Sequence, residues 1–270
     1  MFGSAKMFDF YRNRRRFHHD PKGPHHHEGG DGPVLESSSS GSRKVQVVRS
    51  VLDANKMVAE RLRRRFASLN VFVLNMMSSP GSGKTTTLVR SLADLMPDLR
   101  CAVIVGDICS THDADKLAES GAPVVQINTD RFGGECHLAA HLIDTALSGI
   151  DLNDTDLLIV ENIGNLVCPA EFDIGEDLKV VVLSVTEGED KPIKYPLMFR
   201  VCDAALINKV DLVPYLDLDV ATIQGSISQV HPDMPTFAVS AKTGEGFEPW
   251  LAWLREKIRR KADGAAASGG

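Results

Sequence analysis

The sequence predicts an α/β fold, a mainly parallel sheet covered by helices on both faces, with the first 44 residues left outside it as a disordered tail. Three observations carry this. Short runs rich in branched residues recur between residues 71 and 239, helical apolar patterns fill most of the gaps, and a glycine-bearing turn joins the first run to the helix after it. Strands alternating with helices build parallel sheets, and such sheets bind ligands at the carboxyl ends of their strands.

Residues 1–44 are rich in Gly, Ser, His and Arg and nearly devoid of apolar periodicity, so they cannot offset the entropy of ordering. The basic residues Arg12 and Arg14-Arg15-Arg16 read as a solvated arm, because a formal net charge of −6 argues against a protein built to bind nucleic acid. Val51, Val58, Leu62 and Phe66 recur at helical spacing, which predicts an amphipathic helix over 47–67. Strands follow at 71–77, 101–106, 124–127, 157–161, 180–185, 205–208 and 236–239. Helices are expected at about 84–96, 113–120, 137–148, 192–201, 219–230 and 247–260, so one domain covers 45–261, and 262–270 is a flexible end.

Hydrophobic residues make up 43% of the chain, enough for a sizeable core. Cys101, Cys109, Cys136, Cys168 and Cys202 are odd in number and show no disulfide-framework spacing, which fits a reducing cytoplasm. No apolar run has the length of a signal peptide or a membrane span, so the expectation is a cytoplasmic protein with no membrane and no nucleic-acid partner. Cys101 and Cys202 fall on apolar elements and are expected in the core.

The run Ser78-Ser-Pro-Gly-Ser-Gly-Lys-Thr-Thr86 lies between a strand and a helix, as a phosphate-binding loop requires. Gly81 and Gly83 let backbone N–H groups turn inward around phosphate oxygens beside Ser79 and Ser82, and the helix start adds its positive end. Lys84 is placed to reach the β- and γ-phosphates, Thr85 to hold Mg²⁺, and Thr86 to touch the α-phosphate. The usual pattern begins with Gly where this chain has Ser78.

Asn208-Lys-Val-Asp211 follows a strand, so the Asp211 carboxylate can accept from both guanine N1–H and the exocyclic amine, a pair of donors adenine lacks. Asn208 can bond the other purine edge and brace the loop, and the Lys209 stem can cover the ring. Ser240-Ala-Lys-Thr-Gly244 after the last strand is the matching second base loop, where N–H groups near Ala241 and Lys242 face the guanine carbonyl. In this order behind the phosphate loop, the two runs point to a P-loop GTPase. Asp107 ends a strand near the phosphates as a Mg²⁺ or water-mediated ligand, with a strand-end cap as the competing reading. Glu161-Asn-Ile-Gly164 stands where such proteins carry Asp-x-x-Gly, with Gly164 able to bond the γ-phosphate. No water-positioning Gln is evident, which predicts slow turnover.

Cys136-His137 is expected to begin the 137–148 helix, where the dipole favours a thiolate, and Cys168 follows in a loop. Two thiolates and an imidazole suit Zn²⁺ or Ni²⁺, yet on spacing alone structural cysteines are the favoured reading.

Together with Gly106-Asp107, Glu135-Cys-His-Leu138, Ile159-Val-Glu-Asn-Ile-Gly-Asn-Leu-Val-Cys-Pro169 and Thr186-Glu-Gly-Glu-Asp-Lys-Pro192, these motifs make residues 70–253 resemble HypB, the nickel-incorporation GTPases of nickel–iron hydrogenase maturation. The resemblance implies a homodimer formed on GTP binding, with an interface metal site built from Cys136, His137 and Cys168. It implies GTP/GDP, Mg²⁺ and Ni²⁺ or Zn²⁺ as bound species. The implied partners are the accessory protein HypA, the isomerase SlyD and the hydrogenase large-subunit precursor. Some members carry a cysteine-rich N-terminal nickel motif; this chain has no cysteine before Cys101 and offers His18-His19 and His25-His26-His27 instead. Cys109 and His112 follow Asp107 in what reads as a mobile loop. Two alternatives stay open: a nickel store whose nucleotide controls dimerisation, and a urease-type nickel accessory GTPase.

Overall fold

A computed structural model of the chain describes residues 40–107, 112–129 and 137–268. Residues 1–39 of the expected tail, with its histidines, and Cys109 and Cys136 lie outside the described residues. Helix α1 spans Ser40–Ser68. Strand β1, Phe72–Ser78, runs into the phosphate loop, and α2 covers Lys84–Leu95. Strand β2 is Cys101–Asp107, α3 His112–Ala118 and β3 Val124–Asn128. Helix α4 is Ala140–Ala146, β4 Leu157–Gly164, α5 Cys168–Glu171 and β5 Leu178–Ser184. Then come α6 Lys191–Lys194, α7 Pro196–Val201, β6 Ala204–Asn208, α8 Val220–Val230, β7 Thr236–Ala238 and α9 Phe247–Ser268.

All seven expected strands form, in one sheet of order β3-β2-β4-β1-β5-β6-β7, and every pairing is parallel. Burial on both faces explains their continuous apolar runs. Because side chains alternate across a strand, Leu74 and Met76 pack with α2 and α9 around Trp250, while Val71 and Val73 pack under α1 and α4. A third cluster places Phe199, Ile223 and Ile227 of α7 and α8 against Val181, Leu183 and Ile207. Among the described residues no helix is long and apolar enough to cross a membrane.

Four expected helices differ. The first begins at Ser40 rather than 47, so residues 40–44 of the expected tail belong to α1. The one expected at 137–148 begins only at Ala140, since Ala139 is extended at φ −83°, ψ 158°. His137 and Leu138 therefore lie ahead of the helix and not in its first turn. The helix expected at 192–201 breaks at Tyr195, where Pro196 disfavours helical backbone in the residue before it. Helix α9 continues to Ser268, beyond 261, because Ala265, Ala266 and Ala267 are strong helix formers.

The sequence placed Cys101 and Cys202 in the core, and both are buried. Burial pushes the Cys101 thiol up to about 12 and the Cys202 thiol higher still. Both should resist alkylation at neutral pH in the native protein and react only in denaturant, with mass spectrometry of trapped thiols as the measurement. Labelling of Cys202 in the native state would contradict this packing.

Gly246 turns the chain into α9 at φ +71°, and a Cβ there would lie 1.9 Å from the Ala238 carbonyl oxygen. The variant Gly246→Ala should lose at least about 2 kcal/mol in urea unfolding, from left-handed strain and backbone clash together. An unchanged midpoint would show that this turn relaxes freely.

Candidate functional site

The carboxyl ends of β1, β2 and β4 meet at a cavity of about 510 Å³, lined by Ser78–Thr86, Gly106, Asp107, Asp113, Lys116, Ile163, Gly164 and Lys209. Its floor is the loop after β1. Gly81 and Gly83 sit at φ +78° and +91°, left-handed values that turn the loop's amides inward. Gly83 also has no room for a side chain, because a Cβ would meet Asn208 Nδ2 at 2.4 Å.

Strand β4 delivers Glu161 to the start of α2. Thr85 Oγ1 donates to Glu161 Oε1 at 2.7 Å, and Lys84 Nζ stands 3.2 Å from the same oxygen. Glu161 is 1% exposed, and burial drives its carboxyl above the usual range, opposed by Lys84 and by the Thr85 hydrogen bond. Among the described residues its Oε2 has no hydrogen-bond partner, and neither does the buried Ser82 Oγ. A buried carboxylate oxygen left over beside a threonine hydroxyl, with Asp107 on the same cavity wall, is a donor set suited to Mg²⁺ with its waters. The site residues Lys84, Thr85, Asp107, Glu161 and Gly164 therefore come together as the sequence predicts.

A second cavity, of about 320 Å³, adjoins the first and shares Gly83, Thr86 and Lys209 with it; Asn208, Asp211, Leu212, Ala241 and Lys242 complete it. Ser240 Oγ donates to Asp211 Oδ1 at 2.6 Å, which fixes the carboxylate plane. Lys209, at φ +65°, donates to the Gly81 carbonyl at 2.6 Å, so its stem crosses the trough. Asn208 acts chiefly as the brace: Nδ2 donates to the Ser82 carbonyl at 2.9 Å, and Oδ1 accepts from the Ala241 N–H at 3.0 Å. That bond takes up the Ala241 amide which the sequence had assigned to the guanine carbonyl, and leaves Lys242 as the other lining residue of that loop.

Sequence reasoning missed three contributors. Asp113 and Lys116 of α3 line the phosphate cavity, and the Asp113 charge further raises the Glu161 carboxyl. Glu187 accepts from Ser79 Oγ in a short hydrogen bond, accepts from Ser184 N–H at 2.9 Å, and lies 3.5 Å from Lys191 Nζ. The Thr186–Pro192 run was the only signal for it.

The metal residues are only partly visible. His137 packs against Phe172 with ring centroids 3.7 Å apart and the planes tilted by 31°, and Cys168 is half-buried at the start of α5. Among the described residues no group of three or more ligand-type side chains converges on one point. Cys136 lies outside them.

The profile of the CobW/HypB/UreG nucleotide-binding domain matches residues 72–238. The hydrogenase maturation factor HypB of Escherichia coli K12 is 46% identical over 233 residues, which cover 86% of this chain and 79% of that protein. This chain belongs to the HypB family. Among solved structures, HypB from Helicobacter pylori in complex with nickel superposes with a TM-score of 0.71 at 38% identity, over 77% of this chain and 96% of that one. The HypB hydrogenase maturation factor of Archaeoglobus fulgidus gives 0.70 at 36% identity, over 76% and 99%. The HypB relationship agrees with the P-loop GTPase architecture derived from the two cavities.

Proposed function

We propose that this chain is a GTP-hydrolysing metallochaperone that binds nickel, or zinc, and assists nickel insertion into the large subunit of nickel–iron hydrogenase. The observation that carries this reading is the course of β4. One strand supplies Glu161 against Lys84 and Thr85, then Gly164 at the phosphate cavity, and runs on directly to Cys168. The H. pylori family member crystallised with nickel supports the metal.

In this reading GTP lies along the two cavities, guanine against Asp211 and Lys209 and the phosphates against Ser79–Thr86. Thr85, Glu161 and Asp107 would hold Mg²⁺, which supplies charge neutralisation on the β- and γ-phosphates. Lys84 offsets the charge that develops on the transferred group, and no glutamine follows Gly164 in the sequence where one would orient the attacking water, so turnover is slow. Cys136, His137 and Cys168 bind the cargo metal at the face where two copies dimerise on GTP binding. HypA, SlyD and the hydrogenase precursor are the partners, and the setting is the cytoplasm.

The test is Cys168→Ala titrated with Ni²⁺, with and without a GTP analogue, while mass is read. Wild type should bind Ni²⁺ more tightly than the variant, with an affinity that depends on the nucleotide. Identical binding by the two proteins would refute the metal assignment. A passive store predicts no linkage between metal and nucleotide in either direction, because linkage is reciprocal wherever it exists.

A further inference from the structure

Strand alternation puts Glu161 and Asn162 on opposite faces of the sheet, Glu161 toward the phosphate loop and Asn162 into the layer beneath α1 and α4. The two residues sit where the register slips. Met76 pairs with Glu161 and Ser78 with Gly164, so β4 carries one residue more than β1 between them. Such a bulge re-aims a side chain and leaves a backbone donor unpaired. Asn162 Oδ1 accepts that donor, the Ile163 N–H, at 2.9 Å, and accepts the Leu138 N–H at 3.1 Å.

Leu138 is the residue after His137. It is fully buried, and its side chain lies so close under Gly106 that a Cβ added there would meet it at 2.8 Å. Gly106 precedes Asp107 at the phosphate cavity. The His137-bearing segment is thus clasped to two strand ends that line the nucleotide site, through a hydrogen bond to the Asn162 side chain of β4 and an apolar contact with Gly106 of β2.

The amide of Asn162 cannot turn freely. Its Nδ2 donates to Asn75 Oδ1 at 3.2 Å, and Asn75 Nδ2 donates to Glu176 Oε1 at 3.3 Å. Glu176 also accepts from the Ile174 N–H at 2.7 Å and lies 3.3 Å from Lys179 Nζ. A carboxylate at the end of the chain sets both amides with donors toward Glu176 and acceptors toward Leu138. Asn75 and Asn162 are both essentially inaccessible to solvent. Burying two polar side chains is costly unless every atom is matched, and here the matching aims one acceptor at the His137 segment.

We infer that Asn162 is a positioning residue that couples the His137 segment to nucleotide occupancy of the phosphate cradle. The inference rests on the metallochaperone reading for its consequence, the change in metal affinity, but its structural content can be measured alone. Any nucleotide-driven shift of Glu161 against Lys84 and Thr85 moves the next residue of the same strand and, through it, the Leu138 amide.

The experiment follows hydrogen–deuterium exchange at Leu138 in the full chain, bound to Mg²⁺·GDP or to Mg²⁺ with a non-hydrolysable GTP analogue. Wild type should show at least about a fivefold difference in exchange between the two states, the lower end of ordinary site-to-site coupling. In Asn162→Ala the difference should vanish. It should persist in Asn162→Asp, which keeps an acceptor facing Leu138. Titration with Ni²⁺ should show two affinities in wild type, one for each nucleotide state, and in Asn162→Ala a single affinity, weaker than the tighter wild-type state by about tenfold. Equal exchange in the two states of wild type, or a wild-type difference in Asn162→Ala, would overturn the inference. Should Asn162→Ala not fold, loss of the difference in Asn162→Asp, which keeps the acceptor, would overturn the inference in the same way. Wild type that binds no Ni²⁺ would sink the metallochaperone reading, while the exchange measurement still judges the coupling.

Discussion

Lys84→Met should lower GTP turnover by about 10²–10³-fold, the usual loss when one preorganised donor to a developing charge is removed. Methionine keeps the apolar stem, so the loss reports the ammonium. The same substitution should destabilise the nucleotide-free protein, because Lys84 Nζ is the cation 3.2 Å from the buried Glu161 carboxylate. Breaking one side of a buried pair typically costs about 3–5 kcal/mol.

The sign of the pH dependence follows from Glu161. Its folded pKa is raised by burial, so its favourable contribution is complete below the unfolded value and is lost as pH rises through the folded one. Lys84 opposes that rise, and without it the folded value climbs further. The stability deficit of Lys84→Met relative to wild type should therefore be small near about pH 4 and grow toward neutrality. Urea unfolding across that range measures it, and phosphate release measures turnover. A deficit independent of pH would show that Lys84 does not oppose the rise of the Glu161 pKa.

Asp211→Asn should exchange the preferred base. The carboxylate accepts from two guanine donors, and Ser240 Oγ holds its plane through the 2.6 Å bond to Oδ1. Asparagine presents one acceptor and one donor, which match the N1–H and the C2 carbonyl of xanthine. Each hydrogen bond to a charged group contributes about 1.5–3 kcal/mol, so guanine nucleotides should bind about 10²–10³-fold more weakly, and xanthine nucleotides should bind more tightly than they do to wild type. Competition against a fluorescent GDP analogue reads both. Unchanged GDP affinity would mean that the base does not occupy the cavity beside Lys209 and Asp211.

The misplaced start of α4 shows where local pattern stops being sufficient. Leu138, Leu142 and Ile143 are all buried, so apolar spacing alone extends the helix backward to 137. What holds the backbone open there is side-chain capture of its amides. Asn162 takes the Leu138 N–H from 24 residues away, and Asn55 of α1 takes the Ala140 N–H from 85 away while donating to the Asp173 carbonyl at 2.7 Å. Neither partner can be identified from a window of sequence. Glu187 was missed for the same reason, since it meets Ser79 across 108 residues.

The strands, the phosphate loop and the base loops were legible because each depends on short-range rules. Branched residues fit a doubly covered sheet, glycine reaches the left-handed backbone of the Gly81–Gly83 turn, and a lysine and threonine at a helix start face whatever the turn encloses. Residue types and order thus sufficed to place Lys84, Thr85, Asp107, Glu161, Gly164 and Asp211 around two cavities. Only the tertiary structure decided which of those groups touch. Inserting β4 between β1 and β2 sets Glu161 against Lys84, and placing β6 between β5 and β7 lets Asn208 at its end brace both loops. Strand β4 also carries Asn162 to the far face, beneath the segment that bears His137. Such contacts depend on strand order, and strand order is settled by burial of the whole sheet rather than by any run of neighbouring residues.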